Sequence, residues 1–315
     1  MIQTNDIVVK NSSIRKLIKL SYTLRELDEF KKFFKAHNTL KLVIKHNGLY
    51  PAVTTEEELI SGYTNTWIRD TIMITNYQFE IVNFDLAVKT VTTLRDYFYK
   101  HRFRFKSIIE GKANKDDPMQ RPHIRFNGDT LEEIDQKWAH AQNDALGYFL
   151  WMRFKLANEN KYVVTAGDYE IFSLFPLYFK SIEYWQDQDS GHWEEARKVE
   201  SSSIGVVVAA LMEMKKFLEN HSSDLFAALN KHVTIDYLDD LIKKGTEQLN
   251  TFLPYESPSQ RKADGALLFL IYPLEVVGER QAQEILNVVL QDLKGDYGIK
   301  RYLGDSYWCA DYKQC

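Results

Sequence analysis

Two stretches of this chain, Ser203–Met212 and Ala266–Leu270, are apolar nearly all the way round a helix. A helix buried on all sides belongs to the inner layer of a layered helical fold. Around them, apolar residues recur at three- and four-residue spacing, the mark of packed amphipathic helices. The pattern predicts helices over Leu24–Ala36, Arg69–Lys100 (one long helix or two), Trp138–Ala157, Ala166–Tyr184, Ser201–Asn220, Ile235–Phe252, Asp264–Ile271 and Arg280–Leu293. Segments such as Ile235–Leu249 carry a charged face and belong outside. Alternating inner and outer helices suggest a toroid of helical hairpins. Periodicity alone does not separate that from a solenoid, although no repeat recurs at a fixed period. The expected fold class is all-α.

Punctuation supports these bounds. Thr55-x-x-Glu58 and Thr130-x-x-Glu133 read as capping boxes. Pro254, Pro258 and Pro273 read as helix stops. Residues Gly111–Gly128 and Asp187–Ser202 lack helical pattern and read as long loops, where sites are commonly built on a rigid scaffold. The basic run Lys100–Arg104 reads as the polar face of a helix end. No linker divides the chain, so residues 1–315 are expected to form one domain.

Composition narrows the class. A formal net charge of -4 over 315 residues argues against a nucleic-acid partner. The two cysteines, Cys309 and Cys315, offer no disulfide framework. The N-terminus carries no secretory signal and no apolar run is long enough to span a membrane, so a cytoplasmic protein without a membrane partner is expected. His123, His140 and His192 have no metal-ligand spacing and read as hydrogen-bonded loop histidines; no metal or cofactor is expected. Aromatic residues make up 13% of the chain; most must fill the core, while Trp and Tyr also suit sugar rings.

Five short segments stand out, one of them Ile124-Arg125-Phe126-Asn127-Gly128-Asp129. In Gly191-His192-Trp193-Glu194-Glu195, two adjacent carboxylates follow a tryptophan. Glycosidic hydrolysis needs one carboxyl that stays protonated near neutrality and another that stays ionised. An apolar wall and a neighbouring carboxylate both raise a carboxyl pKa. Taken alone, such a pair is more often a solvated first turn of a helix. In Trp67-Ile68-Arg69-Asp70, an aromatic face accompanies a forked donor and a paired acceptor, which suit vicinal hydroxyls. Trp138-Ala139-His140-Ala141-Gln142-Asn143-Asp144-Ala145 opens a helix, where Asp144 could merely complement the helix dipole. Gly298–Trp308 is a loop of mixed charge and aromatics.

The ordered series W-I-R-D, W-A-H-A-Q-N-D-A, G-H-W-E-E and Ser201-Ser202-Ser203-Ile204-Gly205 resembles glycoside hydrolase family 15, the glucoamylase family, and the related N-terminal region of phosphorylase kinase α and β subunits. The resemblance runs from about Gly62 to Tyr307. It implies an (α/α)6 toroid, a six-hairpin barrel with its site in a mouth built from loops, and last helices lying past Cys315. It implies that Glu194 is the general acid and that Glu195 tunes it and helps hold substrate. Arg69 and Asp70 would grip the non-reducing glucose, and Trp67 and Trp138 would line the pocket. Trp193 would wall the acid, and Gln142 and Asp144 join the substrate-binding set. The family's general base follows the stretch that Gly298–Tyr307 resembles; the nearest carboxylates, Asp305 and Asp311, do not match its motif. The expected activity is inverting hydrolysis of an α-linked glucan or α-glucoside with release of β-glucose. The alternatives are a non-catalytic carbohydrate-binding or regulatory module, and a phosphorylase on a similar barrel.

Overall fold

The computed structural model describes residues 10–19, 22–37, 42–52, 65–220, 233–295 and 298–305. The chain forms two compact units, Met1–Val43 and Ile44–Cys315, at a point where no change in composition marks a boundary. The first contains α1 (Ser12–Leu17) and α2 (Leu24–Ala36). α2 opens with a capping box in which Thr23 and Glu26 satisfy each other's backbone amides.

The second unit is mostly helical. In chain order it contains β1 (Thr66–Trp67), α3 (Ile68–Glu80), α4 (Phe84–Lys100), α5 (Phe103–Ile109), β2 (Arg125–Asn127), β3 (Glu132–Glu133), α6 (Asn143–Asn158), α7 (Ala166–Ile182), α8 (Ser201–Asn220), α9 (Ile235–Phe252), α10 (Leu268–Ile271) and α11 (Glu279–Asp292). Short 3-10 turns occupy Pro118–Gln120 and Gly265–Leu267.

α6 and α8 form the interior. Every residue from Asn143 to Phe154 of α6 is buried, as is Ser201–Leu211 of α8. The two pack side by side because Gly147 lets the backbones approach: a Cβ there would stand 2.9 Å from Val206 Cγ1. α9 packs on α8 through a single stripe, Leu238, Leu241, Gly245 and Leu249, and turns its charged face outward. Phe98, Phe105, Phe149, Phe175 and Tyr178 interlock α4, α5, α6 and α7 by tilted and edge-on ring contacts.

The structure corrects several expectations. A three-stranded antiparallel sheet, in the order β1-β2-β3, stands in a chain expected to be all-α. Its register sets Trp67 opposite Arg125. Thr130–Glu133 caps no helix; Glu132 and Glu133 form β3. The helix expected from Trp138 starts at Asn143, whose N–H is taken by the Asp189 carboxylate at 2.8 Å, so no earlier carbonyl extends it. Of the two alternatives expected for Arg69–Lys100, the structure shows two helices, broken at Ile81–Asn83, where Val82 adopts φ +65. The basic run Lys100–Arg104 joins α4 to α5. Asp264–Ile271 divides into a 3-10 turn, opened by Asp264 accepting from the Ala266 N–H, and the short α10. Pro254 and Pro273 follow helix ends, whereas Pro258 lies in a Ser257–Arg261 turn. Thr55-x-x-Glu58 and Asp311 lie outside the described residues. Among the described residues, no helix is long and apolar enough to cross a membrane.

Candidate active site

The loop between α7 and α8 is closed at its base by a reciprocal backbone pair between Asp189 and Lys198. Ser190 N–H donates to Ala141 O at 2.7 Å, which ties the loop to the start of α6. Within it, Gly191 adopts φ +56 and Glu194 φ +58. A side chain at Gly191 would fall on the Glu200 carboxylate, so the position is restricted to glycine by space as well as by backbone. Glu194 and Glu195 therefore sit in a tight turn rather than in the first turn of a helix, and their side chains part company.

Glu194 lines a cleft of about 390 Å3 with Pro118, Lys137, Trp138 and Ala139. Its Oε1 is buried without a hydrogen-bond partner and lies 4.0 Å from Arg69 Nη1. Burial pushes the Glu194 carboxyl up; Arg69 and Gln142 oppose the rise, while the charges of Asp70 and Asp144 add to it. The apolar wall is thus Trp138 and Pro118. Trp193 faces elsewhere: its Nε1 donates to Asp264 Oδ1 at 2.8 Å.

Glu195 is held by Arg261 and by the Tyr302 hydroxyl. Arg261 lies over the Tyr302 ring at 3.6 Å and reaches Asp264 at 3.2 Å. Among the described residues Glu195 belongs to this charged cluster, and the carboxylates that raise Glu194 are Asp70 and Asp144.

Arg69 is the hub. From the first turn of α3 its guanidinium donates to Asp144 (2.5 and 3.2 Å), to Gln142 Oε1 and to Gly191 O (2.9 Å). Burial works to raise the Asp144 carboxyl, but Arg69 and then His192 hold it below the usual range. Asp70, the next residue, is exposed. Trp67 and Trp138 meet edge to face at 5.9 Å, and the Arg125 guanidinium lies between them, 4.8 Å and 4.1 Å from their ring centres. Trp138 Nε1 is buried without a partner.

Behind this surface lies a buried polar layer. His192 faces Tyr148 (2.9 Å), Ser202 (3.2 Å) and Asp144 (3.6 Å), and burial lowers it to about 4. Ser202 continues to Glu256 through its hydroxyl and its backbone N–H. Burial, then the charge of Asp264, raises Glu256 to about 8; burial, then Glu256, raises Glu200, which pairs with Lys198, to about 8. His123 and His140 stack at 3.7 Å, and burial takes His140 down to about 2. Among the described residues no group of three or more His, Cys, Asp or Glu is placed to hold a metal ion.

The structure thus joins Arg69, Gln142, Asp144 and Glu194 directly and sets Trp67 and Trp138 around Arg125. It sends Glu195 and Trp193 to the Arg261–Asp264 cluster. Nothing in the sequence singles out Arg261, Asp264, Glu200 or Glu256, and Arg125 stands in the marked segment Ile124–Asp129 without an assigned role. Arg125 lies two residues from Asn127 in a segment whose strand is too short to show alternation, and the others lie outside any motif.

A family model for glycosyl hydrolases family 15 matches residues 32–304. The chain is similar to the probable phosphorylase b kinase regulatory subunit alpha of Caenorhabditis elegans, 29% identical over 201 residues that make up 60% of this chain and 16% of that protein. It is equally similar to the corresponding Drosophila melanogaster protein, 29% identical over 213 residues, 64% of this chain and 16% of that one. The match therefore spans under a fifth of the length of these relatives. Among solved structures, a glycosidase variant in complex with glucose superposes with a TM-score of 0.72 at 17% identity, covering 91% of this chain and 76% of that one. A glucoamylase from Saccharomycopsis fibuligera gives 0.55 at 15% identity, covering 83% and 62%. At these identities the likeness to solved structures is one of fold.

Proposed function

The chain belongs to glycosyl hydrolase family 15, and from that premise we propose that it hydrolyses an α-linked glucan or α-glucoside with inversion, Glu194 serving as general acid. The observation that carries the reading is the state of Glu194. It is a largely buried carboxyl with one unpartnered oxygen, its pKa raised, on the wall of a cleft beside Trp138. A carboxyl raised in this way keeps its proton to higher pH and is suited to protonating a departing glycosidic oxygen. Arg69 and Asp70 supply donors and acceptors for sugar hydroxyls, with Arg69 oriented by Asp144 and Gln142. Trp138 offers an aromatic face, with Trp67 behind it. Glu195, the residue after the acid, is anchored to Arg261 and Tyr302. The same reading arranges the helices as inner and outer members of an (α/α)6 toroid, supported by the all-round burial of α6 and α8 beside the single buried stripe of α9.

The test is incubation with maltose, maltooligosaccharides, isomaltose and trehalose. Glucose release as the β-anomer, abolished in Glu194→Gln, is the expected result; no turnover of any of them rejects hydrolysis. A second reading, a carbohydrate-binding regulatory module, is favoured by the curated relatives being regulatory subunits. Saturable maltose binding without turnover would select it.

A further inference from the structure

The contacts around His192 form a directed chain. Tyr148 Oη lies 2.9 Å from Nε2, Ser202 Oγ lies 3.2 Å from Nδ1, and Ser202 Oγ in turn meets Glu256 Oε1. A serine hydroxyl has one proton to donate. If Glu256 is ionised, Ser202 must donate to it, so Ser202 accepts from His192 Nδ1–H and Nε2 accepts from the Tyr148 hydroxyl. If Glu256 is protonated, it donates to Ser202, Ser202 donates to Nδ1, and the ring proton resides on Nε2, facing Tyr148.

We infer that Glu256 sets the tautomer of His192, and that His192 is thereby a positioning residue for Asp144 and Arg69. Asp144 Oδ2 lies 3.6 Å from His192 Nδ1. In one tautomer it faces an N–H dipole; in the other it faces a lone pair. Asp144 is the carboxylate that orients Arg69, so the switch is felt by the guanidinium beside Glu194. No net charge needs to move into His192, whose burial keeps it neutral above about 4. Glu256 changes state near 8, under burial and the charge of Asp264, eased by Ser202 and Lys198.

The charged and titratable groups packed about this chain are Arg69 from α3, Asp144 and Tyr148 from α6, Lys198 and Glu200 from the loop before α8, and Asp264 before α10. Phe269 of α10 stacks on the imidazole at 5.3 Å and fixes its plane. The ring therefore keeps its place while its proton changes sides.

The effect on sugar affinity rests on the reading of Arg69 given above; the tautomer does not. The test is 15N NMR of the full chain, labelled at the histidine ring nitrogens, between pH 6 and pH 10. In the wild type the His192 Nδ1 signal is expected to pass from the bare to the protonated type as pH rises through about 8. Glu256→Gln cannot ionise, and its amide either donates to Ser202 or accepts from it, so it is expected to hold His192 in one tautomer throughout the pH range. Ser202→Ala is expected to abolish the dependence on Glu256. The same tautomer at all pH values in the wild type and both variants would overturn the inference. The maltose affinity of the wild type is expected to change by up to about tenfold as pH passes about 8, and that step is expected to vanish in Glu256→Gln. Equal wild-type affinities on either side of that pH alongside a confirmed tautomer switch would refute the link to Arg69. If the wild type binds no saccharide, the proposed function fails while the NMR result still decides the switch.

Discussion

Arg69 and Asp144 meet in a forked ion pair whose shorter contact is 2.5 Å, with the carboxylate fully buried and the guanidinium largely so. The pair spends most of Arg69's charge before it reaches Glu194. Asp144 also adds its own negative field there and pushes the Glu194 carboxyl up. Asp144→Asn should reverse both effects. The Glu194 carboxyl then falls, and a general acid with a lower pKa loses its proton at lower pH. The descending limb of the kcat–pH profile is expected to move down by about one pH unit. An unchanged or upward-shifted limb would contradict the assignment of Glu194 as the acid.

The turn at Gly191 should be the least forgiving position in the site loop. Gly191→Ala meets a left-handed backbone and the Glu200 carboxylate together. The expected cost is about 3 kcal/mol, read from urea unfolding. A variant with wild-type stability would mean that Glu200 is free to move aside.

Stability should fall with rising pH across the neutral range. Glu200 and Glu256 keep their protons to about 8 in the folded chain, whereas an unfolded glutamate releases its proton near 4.3. Between those values folding takes up protons, so each unit of pH weakens it. His140 and His192, lowered to about 2 and about 4, act in the opposite sense, but only up to the free value near 6.5. From pH 6.5 to 8 the carboxyls act unopposed. Thermal melts should show Tm declining across that window, with a shallower decline in Glu256→Gln.

Arg121 and Asp187 anchor the far side of the same loop through paired contacts of 2.6 and 2.7 Å, with the Arg121 side chain wholly buried. Asp187→Asn leaves that charge without its counterion and should cost about 3–5 kcal/mol. Arg121→Met with Asp187→Leu should cost less than the sum of the single changes, because neither charge is then stranded. Additive costs by chemical denaturation would show that the two do not act as a pair.

Three helices, Leu24–Ala36, Ser201–Asn220 and Ile235–Phe252, are legible to the residue: Thr23 and Thr234 cap the first and third, and the second is a long apolar run opened by serines. The start of α6 was not, because Asp189, forty-six residues away, ends the preceding loop by capping Asn143. The sheet was missed because strands of two and three residues have no room for alternation. Of the site, the Arg69–Gln142–Asp144–Glu194 grouping could be named from motifs. The divergence of Glu194 from Glu195 depends on a single positive φ and on Arg261, which no local pattern connects to them. The same holds for Glu256, whose partner Ser202 is fifty-four residues earlier.

Pro118 and Lys137 line the cleft outside the Arg69 network, which Ala139 joins by accepting from the Gln142 amide at 2.8 Å, while Glu194 hangs from a turn whose geometry is set at Gly191 and Ser190. Part of the cleft wall is thus separable from the turn that carries Glu194. A library that varies positions 118, 137 and 139 can reshape what the cleft admits and leave the acid where it is. Transplanting the Trp193-Glu194-Glu195 tripeptide alone into another scaffold would carry across the side chains without the bend that parts them.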